Sequence, residues 1–399
     1  MLILQNVTLI DGTGQSPMSG VSVMVRGDRI AEVTQAPVHG GAGDWCLDLT
    51  GCWLMPGLID AHTHLGSDQS LDRPANAGRF QTYDYARHRE EALRWGITTV
   101  RSGGDFSPDV FEVRRMAEAG ELRSPRILAA GRVLQARNGH PGWSVYFGRQ
   151  EILEHVCQVL DPDSDVEEAV RRLAAEGADW IKAFVSDDNV TAYPAKVPRL
   201  SLEQLRRIVN EAHRLGLPVM MHVDDLADLS DALEAGADTI EHVHNPAAIG
   251  PELTRELIDR LKASGTWLVP TLVATKLHDG TVAGGPLVWP RLLEDMKRLV
   301  AAGVPMGVGC DSGIPLVPYG ECLHMELELL VEAGMTPLEA VTAATGGNAR
   351  MLRRAEEFGT VRPGLSADLV AVAGDPLKDI RNTRSIRLVI SRGRIVFQS

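Results

Sequence analysis

His62 and His64 close the run Gly57-Leu-Ile-Asp-Ala-His-Thr-His64, Lys182 interrupts the apolar run Asp179-Trp-Ile-Lys-Ala-Phe-Val185, and His222, His242 and Asp311 each follow a short apolar segment. Side chains two apart on a strand point to the same side, so the His-x-His pair presents two imidazoles to one point. Alone, such a triplet is more often incidental than metal-binding. Two further strand-end histidines and an aspartate turn the balance towards a metal, because imidazole and carboxylate are preferred zinc ligands. For Lys182 two readings stand. The plainer one is a snorkelling or salt-bridged lysine. The sharper one is that burial lowers its pKa, and the free amine takes up carbon dioxide to give a carbamate that bridges two metal ions.

These groups can meet only if the chain brings strand ends together. Between Pro56 and about Arg350, apolar segments of four to six residues alternate with amphipathic stretches, the signature of repeated βα units. The expected strands are 54–60, 98–101, 126–130, 180–185, 218–222, 239–242, 266–270 and 305–310. Eight is the number that closes a (β/α)8 TIM barrel, whose C-terminal strand ends share one face and carry the active site. Several strands follow a helix stopped by glycine, as in Glu176-Gly177-Ala-Asp and Glu234-Ala-Gly236-Ala-Asp. Before residue 56 and after Thr360 the texture changes to short β runs punctuated by turns such as Asp11-Gly12, Gly27-Asp28 and Pro363-Gly364. The expected organisation is an α/β chain with a small β-sandwich from residues 1–56 plus 356–399, its two halves pairing, and a hydrolase barrel at 57–355.

Composition narrows the function. Forty Lys plus Arg against fifty-three Asp plus Glu leave a formal charge of −13 over 399 residues, which repels phosphate backbones and anionic headgroups. Neither nucleic acid nor a membrane is an expected partner. No window approaches the roughly 20 apolar residues of a bilayer span, and the N-terminus lacks the form of a secretory signal. Five scattered cysteines without a C-x-x-C pair argue against a disulfide scaffold and for a reducing cytoplasm. A homo-oligomer is the expected assembly. Neither a Gly-x-x-x-x-Gly-Lys-Ser/Thr loop nor a Gly-x-Ser-x-Gly elbow is present, so nucleotide hydrolysis at a P-loop and serine hydrolysis lack support.

The set His62-Thr-His64, Lys182, His222, His242 and Asp311 resembles the metal constellation of the amidohydrolase superfamily, and the closing run Gly359-Thr-Val-Arg-Pro-Gly364-Leu-Ser-Ala-Asp-Leu-Val extends the resemblance over nearly the whole chain. Asp179-Trp-Ile-Lys182 and Asp238-Thr-Ile-Glu-His242 look most like the imidazolonepropionase-related branch that contains Xaa-Pro dipeptidases, metallocarboxypeptidases acting on N-acyl amino acids, and ochratoxin-type amidases. The resemblance implies two divalent ions, zinc before manganese, cobalt or iron. His62, His64 and Asp311 would hold the more buried ion and His222 and His242 the other. N6-carboxylysine at Lys182 would bridge them, a hydroxide would sit between, and Asp311 would shuttle its proton to the leaving nitrogen.

Around that centre, His140 in Arg137-Asn-Gly-His140-Pro-Gly142-Trp is read as a hydrogen-bond donor to the substrate carbonyl oxygen, against the plainer reading of a solvated loop histidine. His244 is read as a satisfied or solvated neighbour. Dipeptidases of this branch tend to carry an aromatic hydroxyl shortly after the fifth-strand histidine; here the run is His222-Val-Asp224-Asp225-Leu. The two acids either favour a cationic or neutral substrate or cap the next helix, and at least one is expected to cap. Arg137, Arg101 and Tyr146 are candidates to meet a substrate carboxylate, and Asp224 is a candidate substrate contact. Segments 138–148 and 186–200, with Trp143, Tyr146, Phe147 and Tyr193, are the expected pocket walls and suit an apolar substrate body. The expected reaction is hydrolysis of a peptide-like amide in a dipeptide or N-acyl amino acid. Alternatives at the same site are a lactam, ester, lactone, carbamate or phosphoester, then a mononuclear deaminase, and last a noncatalytic assembly protein.

Overall fold

The computed structural model describes residues 1–66, 85–187, 196–243, 253–279 and 288–399. The N-terminal strands are β1 (Leu2–Leu9), β2 (Met18–Arg26), β3 (Arg29–Thr34), β4 (Trp45–Asp48) and β5 (Cys52–Pro56). The middle of the chain supplies β6 (Leu58–Thr63), β7 (Ile97–Ser102), β8 (Arg126–Ala129), β9 (Val133–Ala136), β10 (Cys157–Leu160), β11 (Ile181–Phe184), β12 (Val219–His222), β13 (Thr239–Glu241) and β14 (Trp267–Val269). The C-terminal strands are β15 (Leu369–Ala373), β16 (Ile386–Ser391) and β17 (Arg394–Gln398).

The two ends of the chain pair. β15 runs antiparallel to β5, from Leu369 opposite Pro56 to Ala373 opposite Cys52, within an eight-stranded sheet ordered β17-β16-β15-β5-β1-β2-β3 with β4 on β1. β1 changes partner along its length, lying parallel to β4 at Leu2–Gln5 and to β5 at Thr8–Leu9. The register shifts between Leu4 and Val7, where Asn6 takes φ 63°. That bulge resets the two-residue alternation, so Leu2, Leu4, Val7 and Leu9 all enter one apolar cluster with Leu369, Ala371, Leu388 and Ile390.

The middle strands are parallel, in a three-stranded sheet β6-β7-β8 and a six-stranded sheet β10-β9-β11-β12-β13-β14. Backbone bonds join the two sheets at both margins. Asp179 N donates to Ala129 O (2.8 Å) ahead of β11. On the other side, residues 305–311 bond to β14 through Leu268 N to Pro305 O (2.9 Å) and to β6 through Ala61 N to Val308 O (2.9 Å) and Asp311 N to His62 O (2.7 Å). Helices between the strands end as expected where Gly177 and Gly236 take φ 101° and 90°.

Two expected strands differ from the structure, and two observed strands have no counterpart among those expected. The expected strand 54–60 is two, β5 and β6, which belong to different sheets and are divided at Gly57; a Cβ there would lie 2.0 Å from Thr98 Oγ1. Residues 305–310 make bridging bonds without forming a regular strand. Gly309 presses on His62, and Val308 N is bonded by the Asn348 side chain (2.9 Å) in place of a neighbouring strand. β9 and β10 were not expected; they extend the larger sheet beyond β11.

Candidate metal centre

β6 carries His62 and leads into His64, and the rings stand 5.5 Å apart between centroids. The remaining imidazoles continue from them. His62 to His242 is 5.1 Å, His242 to His222 is 4.5 Å and His222 to His140 is 4.8 Å, so five rings from four parts of the chain form one contiguous group. Asp311 faces two of them, with Oδ1 3.0 Å from His64 Nε2 and 3.4 Å from His62 Nε2. Neither contact is a well-directed hydrogen bond, and the oxygen is buried.

His242 follows Glu241, which faces the interior from β13, so simple alternation would send the imidazole to the opposite face. The backbone at His242 instead turns left-handed at φ 70°, and Asp311 does the same at φ 59°. Left-handed backbone at residues other than glycine is costly and concentrates where surroundings hold a functional geometry.

Outside the group, each ring is oriented by a protein acceptor or hydroxyl. His62 Nδ1 bonds Glu241 Oε2 at 2.5 Å, His64 Nδ1 bonds Gly104 O at 2.7 Å, His242 Nδ1 bonds Thr271 Oγ1 at 2.6 Å, and His140 Nδ1 bonds Ser144 Oγ at 2.5 Å. His222 is bonded through Nε2, by Asp224 Oδ2 at 2.9 Å, and the same Asp224 oxygen accepts from Ser186. Partners of this kind fix ring orientation and tautomer at metal sites. Glu241 is held in turn by Arg101, whose Nη2 donates at 2.8 Å; Arg101 also bonds Ala61 O and Thr239 and is fully buried.

The electrostatics favour neutral imidazoles beside an ionised carboxylate. Burial holds His222 and His242 well below the usual histidine range, and burial with the Lys182 charge lowers His62. Burial, then His222, pulls His140 down to about 3. His64 is the exception: burial opposes its charge, but Asp311 and Asp105 raise its pKa. Burial works against ionisation of Asp311, yet the surrounding histidines keep its pKa well below the carboxylate range. Lys182 is 1% exposed, its Nζ has no hydrogen-bond partner among the described residues, and burial lowers its pKa to about 8.

This donor set fits divalent cations. Among the described residues, His62, His64 and Asp311 form one group, and His140, His222 and Asp224 another, with ligand atoms within 4.8 Å of one another in each. Neutral imidazole is the ligating form. A Cβ on Gly103 would lie 2.9 Å from His62 Nε2, so glycine keeps that nitrogen clear. A third group, Asp60 with Cys310 and Cys322, lies beneath; Asp60 Oδ2 accepts from Cys310 Sγ at 2.7 Å, and its Oδ1 accepts from His62 N and Cys310 N.

The amidohydrolase family model matches residues 53–396. The chain belongs to the amidohydrolase family. It is similar to ochratoxinase of Aspergillus niger, 29% identical over 372 residues covering 82% of this chain and 72% of the relative. Imidazolonepropionase of Cutibacterium acnes is 26% identical over 393 residues, 91% of this chain and 86% of that one. A crystal structure of a Xaa-Pro dipeptidase with methionine bound in its active site superposes with a TM-score of 0.84 at 25% identity, covering all of both chains. This amidohydrolase is therefore a metal-dependent hydrolase of the imidazolonepropionase-related branch.

The other expected site residues divide. Asp225 caps the helix Leu226–Ala235 by accepting from Asp228 N (2.8 Å), while Asp224 faces His222. Tyr146 packs beside the small cluster that contains Phe184, and Phe184 stacks on His222 at 4.6 Å. Arg137 is not in the group; it is exposed and makes a two-pronged pair with Asp161 (2.6 and 2.7 Å). Arg101, a candidate for a substrate carboxylate, is instead paired with Glu241 inside the fold. His244 and the Tyr193 part of the expected wall lie outside the described residues. Glu241, Thr271, Ser144 and Gly103 were missed. Glu241 alone left a signal, a carboxylate in the short strand run Thr239-Ile-Glu241 directly before a candidate ligand, His242.

Proposed function

We propose that this protein is a binuclear hydrolase that cleaves the amide bond of a dipeptide or N-acyl amino acid with a hydrophobic part, on a (β/α)8 barrel at 57–355 that carries a β-sandwich built from 1–56 and 356–399. The observation that carries this reading is the convergence of His62, His64, His222, His242 and Asp311, with the buried amine of Lys182, unbonded among the described residues, close enough for its charge to lower the pKa of His62, His222 and His242. The bonds of residues 305–311 to both β14 and β6 support closure of the barrel.

His62, His64 and Asp311 would hold one ion, His222 and His242 the other, with Lys182 as its carbamate between them. When bound, a pair of zinc ions polarises the scissile carbonyl and acidifies water. Asp311, kept ionised by the imidazoles around it, accepts the nucleophile's proton and delivers it to the leaving nitrogen. Nδ1 of His140 is engaged by Ser144, so in the neutral tautomer protonated at Nε2 the ring would bond the carbonyl oxygen as charge develops on it. Trp143 and Phe147, 50% and 59% exposed in the segment that carries His140, offer apolar surface to the substrate body. The likeness to an ochratoxinase and to a Xaa-Pro dipeptidase supports cleavage of an amide bond. The five free cysteines suit a reducing cytoplasm. Among the described residues no helix is long and apolar enough to cross a membrane.

The test is a panel of dipeptides, N-acyl amino acids, lactones, carbamates and phosphoesters offered to zinc-loaded protein and to Asp311→Asn. Amide cleavage by the wild type, lowered about 10²–10⁴-fold in the variant while the fold persists, is expected. Fully loaded protein inert towards every amide, or an Asp311→Asn variant of undiminished rate, would refute the reading.

A further inference from the structure

Thr271 is buried and adopts φ 47° and ψ 47°, a left-handed conformation that a β-branched residue rarely takes. It stands after β14 and before the helix Leu272–His278, where its hydroxyl is 2.6 Å from His242 Nδ1 and caps no backbone amide. The next two amides are both taken by one side chain from a distant helix. Glu326, wholly buried in Glu321–Glu332, accepts from Leu272 N through Oε1 (2.9 Å) and from Val273 N through Oε2 (2.7 Å). Two bonds from one carboxylate fix the orientation of consecutive peptide planes and so hold the turn that Thr271 makes. A left-handed β-branched residue persists only where its surroundings over-determine it, and here Glu326 and the contact with His242 do so.

We infer that Glu326 and Thr271 form a clamp that positions His242, with Glu326 acting through Thr271 and the strain at Thr271 maintained to aim one imidazole at its ion. The inference rests on the assignment of His242 as a ligand made above. It also predicts an asymmetry between the two ions. His62 is oriented by an ionised carboxylate that is itself bonded to Arg101, whereas His242 is oriented by a neutral hydroxyl. His222, assigned to the same ion as His242, has a carboxylate partner of its own in Asp224, so the difference that remains is Asp311, whose charge goes to the ion on His62 and His64; the ion on His242 is the more weakly held.

The experiment is equilibrium dialysis of the full chain against Zn2+ in bicarbonate buffer, with metal per chain counted by elemental mass spectrometry and Tm measured on the same samples. Wild type should bind two ions in two distinguishable steps. Thr271→Val and Thr271→Gly should each weaken the weaker step about 10–100-fold and leave the tighter one in place, whereas Thr271→Ser, which keeps the hydroxyl, should retain both. Thr271→Gly separates positioning from stability, because glycine takes the left-handed conformation without strain; its Tm should equal or exceed that of wild type while its zinc affinity falls. Glu326→Gln should weaken the same step, and Glu326→Gln combined with Thr271→Val should be no worse than Thr271→Val alone, since both act on one contact. Unchanged zinc binding in folded Thr271→Val and Thr271→Gly, or additive losses in the double variant, would overturn the clamp and leave the metal assignment standing. A wild type that binds no zinc would overturn both.

Discussion

Lys182 offers the sharpest quantitative test of the centre. Burial lowers its pKa from 10.5 to about 8, with Glu241 and Asp311 opposing the shift. At that value about 9% of the side chain is free amine at pH 7, about half at pH 8 and about 91% at pH 9, against about 0.03% at pH 7 for an unshifted lysine. Only the free amine adds carbon dioxide, forming an N–C bond and releasing one proton. Metal-free protein equilibrated with 13C-bicarbonate should therefore give a carbamate 13C resonance that is absent from Lys182→Ala, and its initial rate of formation at a fixed carbon dioxide concentration should rise with a midpoint near pH 8. Stability supplies an independent readout. The folded-state pKa lies below the unfolded one, so the unfolded chain binds more protons between about pH 8 and 10.5, and stability must rise with pH across that window. A shift of this size corresponds to about 3 kcal/mol, present as a cost below pH 8 and absent above pH 10.5. Urea unfolding of metal-free protein without bicarbonate should show that rise relative to Lys182→Met. A carbamate signal that survives in Lys182→Ala, or a midpoint near the ordinary lysine value, would refute the reasoning.

Two further outcomes follow from the surroundings of the site. His140→Ala should lower kcat about 10²–10³-fold with little change in KM, as expected for loss of one donor to a developing oxyanion; because burial places its pKa at about 3, no inflection above pH 4 in the wild-type kcat profile should disappear with it. Arg101→Met leaves the buried Glu241 without its cation, and urea unfolding should register a loss of about 3–5 kcal/mol, with weaker zinc binding on the His62 side.

The residue types of the candidate metal centre, their place at the ends of apolar runs, the alternation of strand and helix, and the pairing of the chain ends were all legible in the sequence. They depend on local spacing: a two-residue period in His62-Thr-His64, a glycine stop before a strand, turns that delimit terminal β runs. The Asp225 cap was readable for the same reason, since its partner amide is three residues away. What tertiary structure alone decided concerns partners far apart in sequence and departures from local regularity. The division of 54–60 between two sheets at Gly57 is imposed by the close approach of Thr98, and the irregular path of 305–311 by Asn348 and the contact of Gly309 with His62. Left-handed backbone at His242, Thr271 and Asp311 breaks the alternation from which the sequence is read. Arg137 looked placed for a substrate because a loop position carries no record of its ion partner, and Asp161, 24 residues away, takes both of its prongs. Glu241, Glu326 and Thr271 acquire their roles only through contacts across the fold, because the orientation of an imidazole is fixed by whichever buried group folding delivers to its other nitrogen.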